Sequence, residues 1–460
     1  MQRLPDRARS STTRPLRIGL VLATALCSFL VVRGGNDVRG GPGVLLVLAG
    51  TAGALWAGRL ERRDPVVPGW LIASLITVLT TVALATPSRL SNDLWSYEMY
   101  GRILGVHHAN PWVVPPAHFA SDPFLARVSS GWRMRRSVYG PVFVLFAAFA
   151  AAMARSSALA ARLWFQGAEA VAVGLTLLFL RRLTRSNAAV LWLGLQPIVW
   201  SSAVNGGHND ALVGLALLIG AALAWRRWPV AAGVVIGCAA LVKLTALLGI
   251  VGVVAWMLGQ RDRPGAKRAA ITALAVTGIG VVLARGSIGV LLSSNHNVTR
   301  ASAWNIFNTY FVPGRVRTHG GWQIDVIITA AVLTVVVLTL FVASRLRRSH
   351  DPFVPVAATT AAYSVGSSYV LPWYALWSLP SFGVDCTSAL ATVTAATSGV
   401  VLASYELPQS NAHSAWDPLF RGLTTLAAPL PLLAAFVAAA LLTARQQAGP
   451  RTPKVAAPAG

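Results

Sequence analysis

The chain has 460 residues, 55% of them apolar and 12% charged, with a mean hydropathy of +0.59. Soluble domains carry about a quarter charged residues, so a soluble globular protein is excluded, and so much apolar content also excludes a disordered chain. The net charge of +24, from 39 Lys and Arg against 15 Asp and Glu, would point to nucleic acid in a soluble protein; here the basic residues cluster in short connectors between apolar runs, as cytoplasmic loops of membrane proteins do, so nucleic acid is not an expected partner.

Apolar segments run at about 16–32, 42–58, 68–86, 141–154, 158–180, 187–204, 209–225, 229–242, 244–258, 269–284, 324–344, 353–371, 386–404 and 422–444. They predict an all-α polytopic membrane protein of about 12–14 spans. One transmembrane domain is expected over 16–444, with polar, disordered ends at 1–15 and 445–460. Arg-rich residues precede the first segment as in a signal peptide, but no A-x-A-like site follows it, so it reads as a retained anchor. Connectors 1–17, 59–64, 181–185, 226–227, 261–268, 345–348 and 445–454 hold 23 Lys and Arg in 52 residues, against 13 in 119 for 33–41, 87–140, 285–323 and 405–421. The first set is therefore assigned to the cytoplasm, both termini included, and the second to the outer face of the plasma membrane. The alternation fails once, because two apolar runs lie between loop 87–140 and Arg181 where an odd number of crossings is needed, so either 141–154 does not fully cross or 158–180 is wrongly divided. Three cysteines, Cys27, Cys238 and Cys386, lie in or beside apolar segments and make neither a disulfide framework nor a metal-ligand spacing.

Loops 87–140 and 285–323 are long, and such loops are usually functional. In the first, Asn92 is a plausible helix cap and Asp93 opens the helix, where the dipole stabilises a carboxylate. Leu94, Tyr97, Tyr100 and Leu104 form an apolar stripe, so this helix is expected to lie on the membrane surface. Asp93 is then either a proton acceptor above the bilayer or only a partner of the dipole. Arg133, Arg135 and Arg136 suit a phosphate or anionic lipid head groups equally well. Asn205-Gly206-Gly207-His208-Asn209-Asp210 reads as a tight turn opening a helix, fit to orient a sugar or phosphate, or simply a capped helix start.

Lys243 interrupts an apolar stretch, and a lysine at mid-bilayer costs about 2.5–3.5 kcal/mol. That cost vanishes if two short helices meet there at the outer surface, with Lys243 near Asp93 and His208; the alternative is a snorkelling lysine. Arg162 and Glu169 share a helix face and form a candidate buried pair. From Tyr369 to Pro380 two prolines break a helix and aromatics load the break, as a cavity lining or an interfacial belt. No D-x-D, H-E-x-x-H, Walker or G-x-S-x-G motif is present.

Asp93 with Tyr97, Gly101 and Arg102, then Asn110-Pro111 and Pro115, Tyr139-Gly140-Pro141, Gly207-His208-Asn209-Asp210, Lys243, and Pro372-Trp373-Tyr374 with Trp377 occur in an order that resembles integral-membrane glycosyltransferases of the C-type fold. The pattern is most similar to the actinobacterial polyprenol-phosphomannose-dependent α-(1→6)-mannosyltransferases. The resemblance implies inverting transfer of mannose from polyprenyl-phosphate mannose to a glycan or glycolipid at the outer face, building α-(1→6) links of envelope mannan or lipoglycan, with no cofactor and no metal. It makes Asp93 the general base, although Leu94-Trp95 departs from the residues that often follow that Asp. Lys243, His208, Arg136 and Arg300 are then expected at the donor phosphate, and Tyr97, Arg102, Asn209, Asp210, Trp373 and Tyr374 at the sugars. A transporter or flippase for a lipid-linked sugar, or a transferase of the same fold with another donor, remain the alternatives.

Overall fold

A computed structural model describes residues 6–286, 297–314, 316, 321–408 and 416–447. The protein is 77% helical with no strands among the described residues. In chain order the main helices are α1 (Asp6–Arg33), α2 (Gly41–Arg63), α3 (Gly69–Ala85), α4 (Asp93–Gly105), α5 (Pro141–Ala154), α6 (Ala158–Thr184), α7 (Asn187–Gly194), α8 (Asp210–Trp225), α9 (Pro229–Ala240), α10 (Leu247–Gly259), α11 (Arg263–Leu283), α12 (Trp322–Leu346), α13 (Phe353–Gly366), α14 (Ala389–Glu406), α15 (Asp417–Gly422) and α16 (Pro429–Gln447). Six of these, α1, α2, α6, α11, α12 and α16, are long and apolar enough to cross a membrane. Residues 287–296, the only break in description between Arg285 and Arg300, and the ends 1–5 and 448–460, lie outside the described residues.

The apolar runs become helices that approach closely where small residues meet. A Cβ on Gly233 of α9 would stand 2.6 Å from the carbonyl of Ala269 on α11. Helices in lipid pack through such contacts because burial of apolar surface gives them little driving force. The outward faces stay apolar, as on α12, where Leu333, Val337 and Leu340 are about 60% exposed.

The arginine-rich connectors gather at one end of the bundle. Arg17 pairs with Asp64 at 3.2 Å and Arg227 with Asp262 at 3.5 Å, and Gly259 packs on Arg347. Gln447 there donates to Asp385 and accepts from the His350 amide. Loop 87–140 and its helix α4 occupy the other end. Arg89 ties that end together through a two-pronged pair with Glu406, at 2.9 and 2.7 Å, both side chains buried.

Two features resolve the crossing count. Helix α5 has 14 residues, about 21 Å at 1.5 Å per residue, short of the roughly 30 Å of hydrocarbon. Its first end meets the α9–α10 connection beside Lys243, where Gly140 donates to Val242 O (3.3 Å), and its last end meets α4, where Arg102 Nη1 donates to Arg155 O (2.8 Å). Both ends of α5 therefore stay at the α4 end, and of this pair α6 is the helix long and apolar enough to cross. Conversely, residues 372–385 form the turns Pro372–Trp377, Leu379–Phe382 and Gly383–Asp385. These lead from the α4 end to the arginine-rich end, where Gly383 packs on Leu180. The proline break thus runs from one end of the bundle to the other, and such irregular backbone is tolerated because protein surrounds it.

Candidate active site at the α4 end

Helix α4 is capped differently from the sequence expectation. Asn92 makes no side-chain cap bond; instead Ser91 Oγ accepts from the Asp93 amide at 3.0 Å. Nor does α4 lie on a surface. Every residue from Ser96 to Ile103 is buried, because its stripe packs on α5 and its other face is covered by the loop. Gly101 lets the Ala147 backbone of α5 come into direct contact. On the far face Arg102 Nε grips both oxygens of Asp122, at 3.0 and 2.8 Å, and His107 Nε2 approaches the same carboxylate at 2.7 Å. Burial works against the Asp122 anion, but the Phe124 amide, Arg102 and His107 outweigh it and hold its pKa below the ordinary value. Arg102, expected at a sugar, is spent on this clamp and stays out of the cavity wall.

Behind α4, Val199–Val204 forms a π-helical turn, a distortion that recurs at functional sites. It delivers Asn205, whose Nδ2 lies 3.0–3.2 Å from the carbonyls of Ala83, Thr86 and Pro87 and so fixes the approach to Asp93. Gly207 has φ +64° with Leu94 against its missing side chain, a place only glycine fills easily. His208 then stacks flat on Trp373, with ring centres 3.5 Å apart. Its Nδ1 stands 3.7 Å from Asp93 Oδ2 and 3.4 Å from the Tyr97 hydroxyl, which in turn meets Tyr139 Oη at 3.4 Å.

Lys243 sits in the break between α9 and α10, as the cost argument required. Its ammonium donates to Asp210 Oδ1 at 2.7 Å and lies over the rings of Tyr374 and Trp377. Asp210 Oδ1 also accepts from Trp377 Nε1 at 2.5 Å. Asp93 and Lys243 share one cavity of about 430 Å³. Its wall also holds the aromatic side chains of Tyr139, Tyr369, Trp373, Tyr374 and Trp377 and the aliphatic ones of Leu247, Leu248 and Val251 of α10 and Val335 of α12.

Of the expected residues, Asp93, Lys243, Trp373 and Tyr374 reach the cavity wall. His208, Tyr97, Asn209 and Asp210 stand immediately behind it, each at most 1% exposed. His208 is not the cation expected at a phosphate: burial first, then the charge of Lys243, hold its pKa well below the ordinary value, so it is neutral. Arg136 is exposed outside the wall, its carbonyl 3.4 Å from Tyr100 Oη. Arg300 lies behind Tyr405, its guanidinium 4.6 Å from that ring centre. Glu169 and Arg162 do not pair: Glu169 accepts from the Ala211 amide and Arg162 donates to Leu84 O. Seven helical residues separate them by about 10 Å, so a shared face was not enough.

Tyr369 falls in the aromatic break that the sequence offered as a cavity lining, whereas Tyr139 was not expected at the wall, nor were the leucines and valines of α10 and α12, which look like those of any membrane helix. The proline flanking each tyrosine motif was the available signal. Burial pushes the Asp93 carboxyl up to about 6, against the pull of the Ser91 bond and of Lys243, while Asp210 adds to the rise. With its side chain 19% exposed, Asp93 is a reachable carboxylate with basicity near neutrality, the property wanted in a general base.

Residues 42–260 match the family model described as alpha-(1->6)-mannopyranosyltransferase, N-terminal domain. The matched segment holds Asp93, His208, Asp210 and Lys243, while the aromatic wall from 369 onward lies beyond it. No curated protein and no solved structure matches the chain.

Proposed function

We propose that the chain, whose residues 42–260 match the model of the N-terminal domain of the α-(1→6)-mannopyranosyltransferase family, is a membrane glycosyltransferase that transfers mannose from a polyprenyl-phosphate donor, with inversion, to a glycan or glycolipid at the outer membrane face. The observation that carries this reading is the mixed lining of one cavity, in which Asp93, Lys243 and five aromatic side chains share the wall with Leu247, Leu248 and Val251 of α10 and Val335 of α12. A sugar phosphate on an isoprenoid chain has the matching two chemistries, a polar head and an apolar tail. A nucleotide sugar has no use for the aliphatic part of the wall.

In the step we propose, an acceptor hydroxyl attacks the anomeric carbon of mannose. The new C–O bond forms as the bond to the phosphate oxygen breaks, and Asp93 takes the hydroxyl proton. Polyprenyl phosphate leaves as an anion and needs a cation rather than an acid. Lys243 supplies it, held in place by Asp210 and by two ring faces. A single displacement with one base inverts the anomeric centre, so a β-linked donor gives an α product. Trp373 and Tyr374 offer faces on which sugars stack. No cofactor or metal has a part in this scheme.

The test is transfer from labelled polyprenyl-phosphate mannose in membranes holding the full chain. Asp93→Asn is expected to cut turnover by at least about 10²-fold while the protein purifies with an unchanged elution profile; near-normal turnover would remove Asp93 from the role. Lys243→Ala is expected to raise the donor KM about tenfold or more, the loss of one charge-assisted contact, with the acceptor KM little changed. Unchanged donor kinetics would overturn the phosphate assignment.

A further inference from the structure

A second group of cations stands at the α4 end, across the aromatic wall from Lys243. Arg39 Nη2 donates to Tyr405 O at 3.3 Å, Arg300 Nη1 to Leu407 O at 3.2 Å, and Arg421 Nη2 to Pro408 O at 2.6 Å. Three guanidinium groups thus surround one four-residue stretch at the end of α14. Each has five N–H donors, and among the described residues these side-chain bonds use one apiece. Arg39 Nε is buried with no partner among them. The carboxylates nearby are committed: Glu406 to Arg89 and Asp417 to the Gly41 amide at 3.1 Å. Four arginines, Arg89 included, thus stand with these two committed carboxylates and the exposed Asp37, two residues before Arg39. The mutual repulsion shows in Arg300, whose pKa is lowered by burial first and also by Arg39 and Arg421.

The surroundings point to the kind of anion. Trp416, Leu419 and Leu423 beside Arg421 are 64%, 52% and 48% exposed, an apolar fringe of the sort that dips into the head-group region of a bilayer. On the inner side Arg300 lies over Tyr405, whose ring stands edge-on to Trp373 at 6.4 Å. Trp373 is in turn a wall of the Asp93 cavity. An aromatic path therefore leads from a cationic site at lipid depth to the base.

We propose that Arg39, Arg300 and Arg421 form a second anion site that binds the phosphate of a lipid head group, separate from the donor phosphate at Lys243, so that a lipid-anchored acceptor held there lays its sugars over Tyr405 and Trp373 toward Asp93. The phosphate has two sources, the acceptor's own anchor or a neighbouring phospholipid. The acceptor part rests on the glycosyl-transfer reading above; the anion site does not.

The first measurement is binding of soluble dihexanoyl phosphatidylglycerol to the purified full chain in neutral detergent, with dihexanoyl phosphatidylcholine as control. The anionic lipid is expected to bind the more tightly. Arg39→Gln with Arg421→Gln is expected to weaken it about tenfold or more, Arg39→Lys with Arg421→Lys to retain most of it, and Lys243→Gln to leave it within twofold. Unchanged binding in the double Gln variant, or loss in Lys243→Gln alone, overturns the site. The Lys pair separates a lost charge from a lost fold. The second measurement compares transfer to a phosphate-anchored mannolipid and to a neutral alkyl mannoside. A KM raised in the double Gln variant for the phosphate-anchored acceptor alone identifies the anchor as the source. Loss of stimulation by added phosphatidylglycerol with both acceptors identifies the surrounding lipid. A raised donor KM overturns the separation from the donor site. If no transfer to mannosides occurs at all, the function proposed above fails, while the binding result still decides the site.

Discussion

At the scale of single residues, two carboxyls on one helix face different surroundings. Asp93 meets the cavity and is pushed up to about 6, and Glu98, fully buried on the clamp side, is pushed up to about 7, in both cases by burial first. A base works only when ionised, so kcat/KM is expected to rise with pH through about 6 and level off above it. Glu98→Gln should leave that profile in place, since Glu98 does not touch the cavity; disappearance of the rise in that variant would assign the titration to the wrong residue. The stability sign runs the other way. A carboxyl whose folded pKa exceeds its unfolded value favours the folded state while protonated, and that contribution is lost as pH climbs from about 4 to about 6. Above that range the ionised Asp93 costs at most about 3 kcal/mol, so Asp93→Asn should raise, not lower, the Tm at pH 7.5.

At the scale of elements, the site depends on α4 lying tightly on α5. A side chain at Gly101 meets the Ala147 carbonyl, which is backbone and cannot rotate away. Gly101→Val is expected to lower thermal stability by about 1–3 kcal/mol and to reduce transfer, whereas Gly167→Val on α6, with open space around it, should do neither; equal effects of the two would show that the α4–α5 contact is unimportant. This level was also where the sequence was least legible. Composition and hydrophobic runs located nearly every helix, and the penalty for a mid-bilayer lysine correctly predicted the break at Lys243. The failed alternation offered two explanations, that 141–154 stops short or that 158–180 is two segments, and could not choose between them; nor could it reveal that Pro372–Asp385 runs from one end of the bundle to the other. The contacts of α5 with Val242 and Arg102, and of Asp385 with Gln447, make the difference. For the same reason Arg102 looked like a substrate ligand: its partner Asp122 is 20 residues away, and no local pattern links the two.

For the molecule as a whole, charge is segregated. Arginine-rich connectors converge at one end and the Asp93 cavity lies toward the other, the end that the proposal above places outside on the strength of the basic-residue bias. A membrane-impermeant maleimide applied to intact cells is expected to label Met134→Cys, 72% exposed beside the cavity, and to spare Arg347→Cys until the membrane is opened. The reverse labelling would put the cavity in the cytoplasm and with it rule out the proposed reaction site. The cysteines already present leave little background, because Cys386 is buried and Cys27 and Cys238 are only partly accessible, on helices flanked by lipid.

The stacking of His208 on Trp373 bears on the order of events during turnover. One face of the indole is permanently occupied by an imidazole, so a visiting carbohydrate meets a platform with a single usable side. Such a platform cannot swing aside like a gate, and a product that has rested on it leaves by sliding parallel to the ring. In the transfer proposed above, the sugar that stacks there therefore enters and leaves along the one open face of the ring.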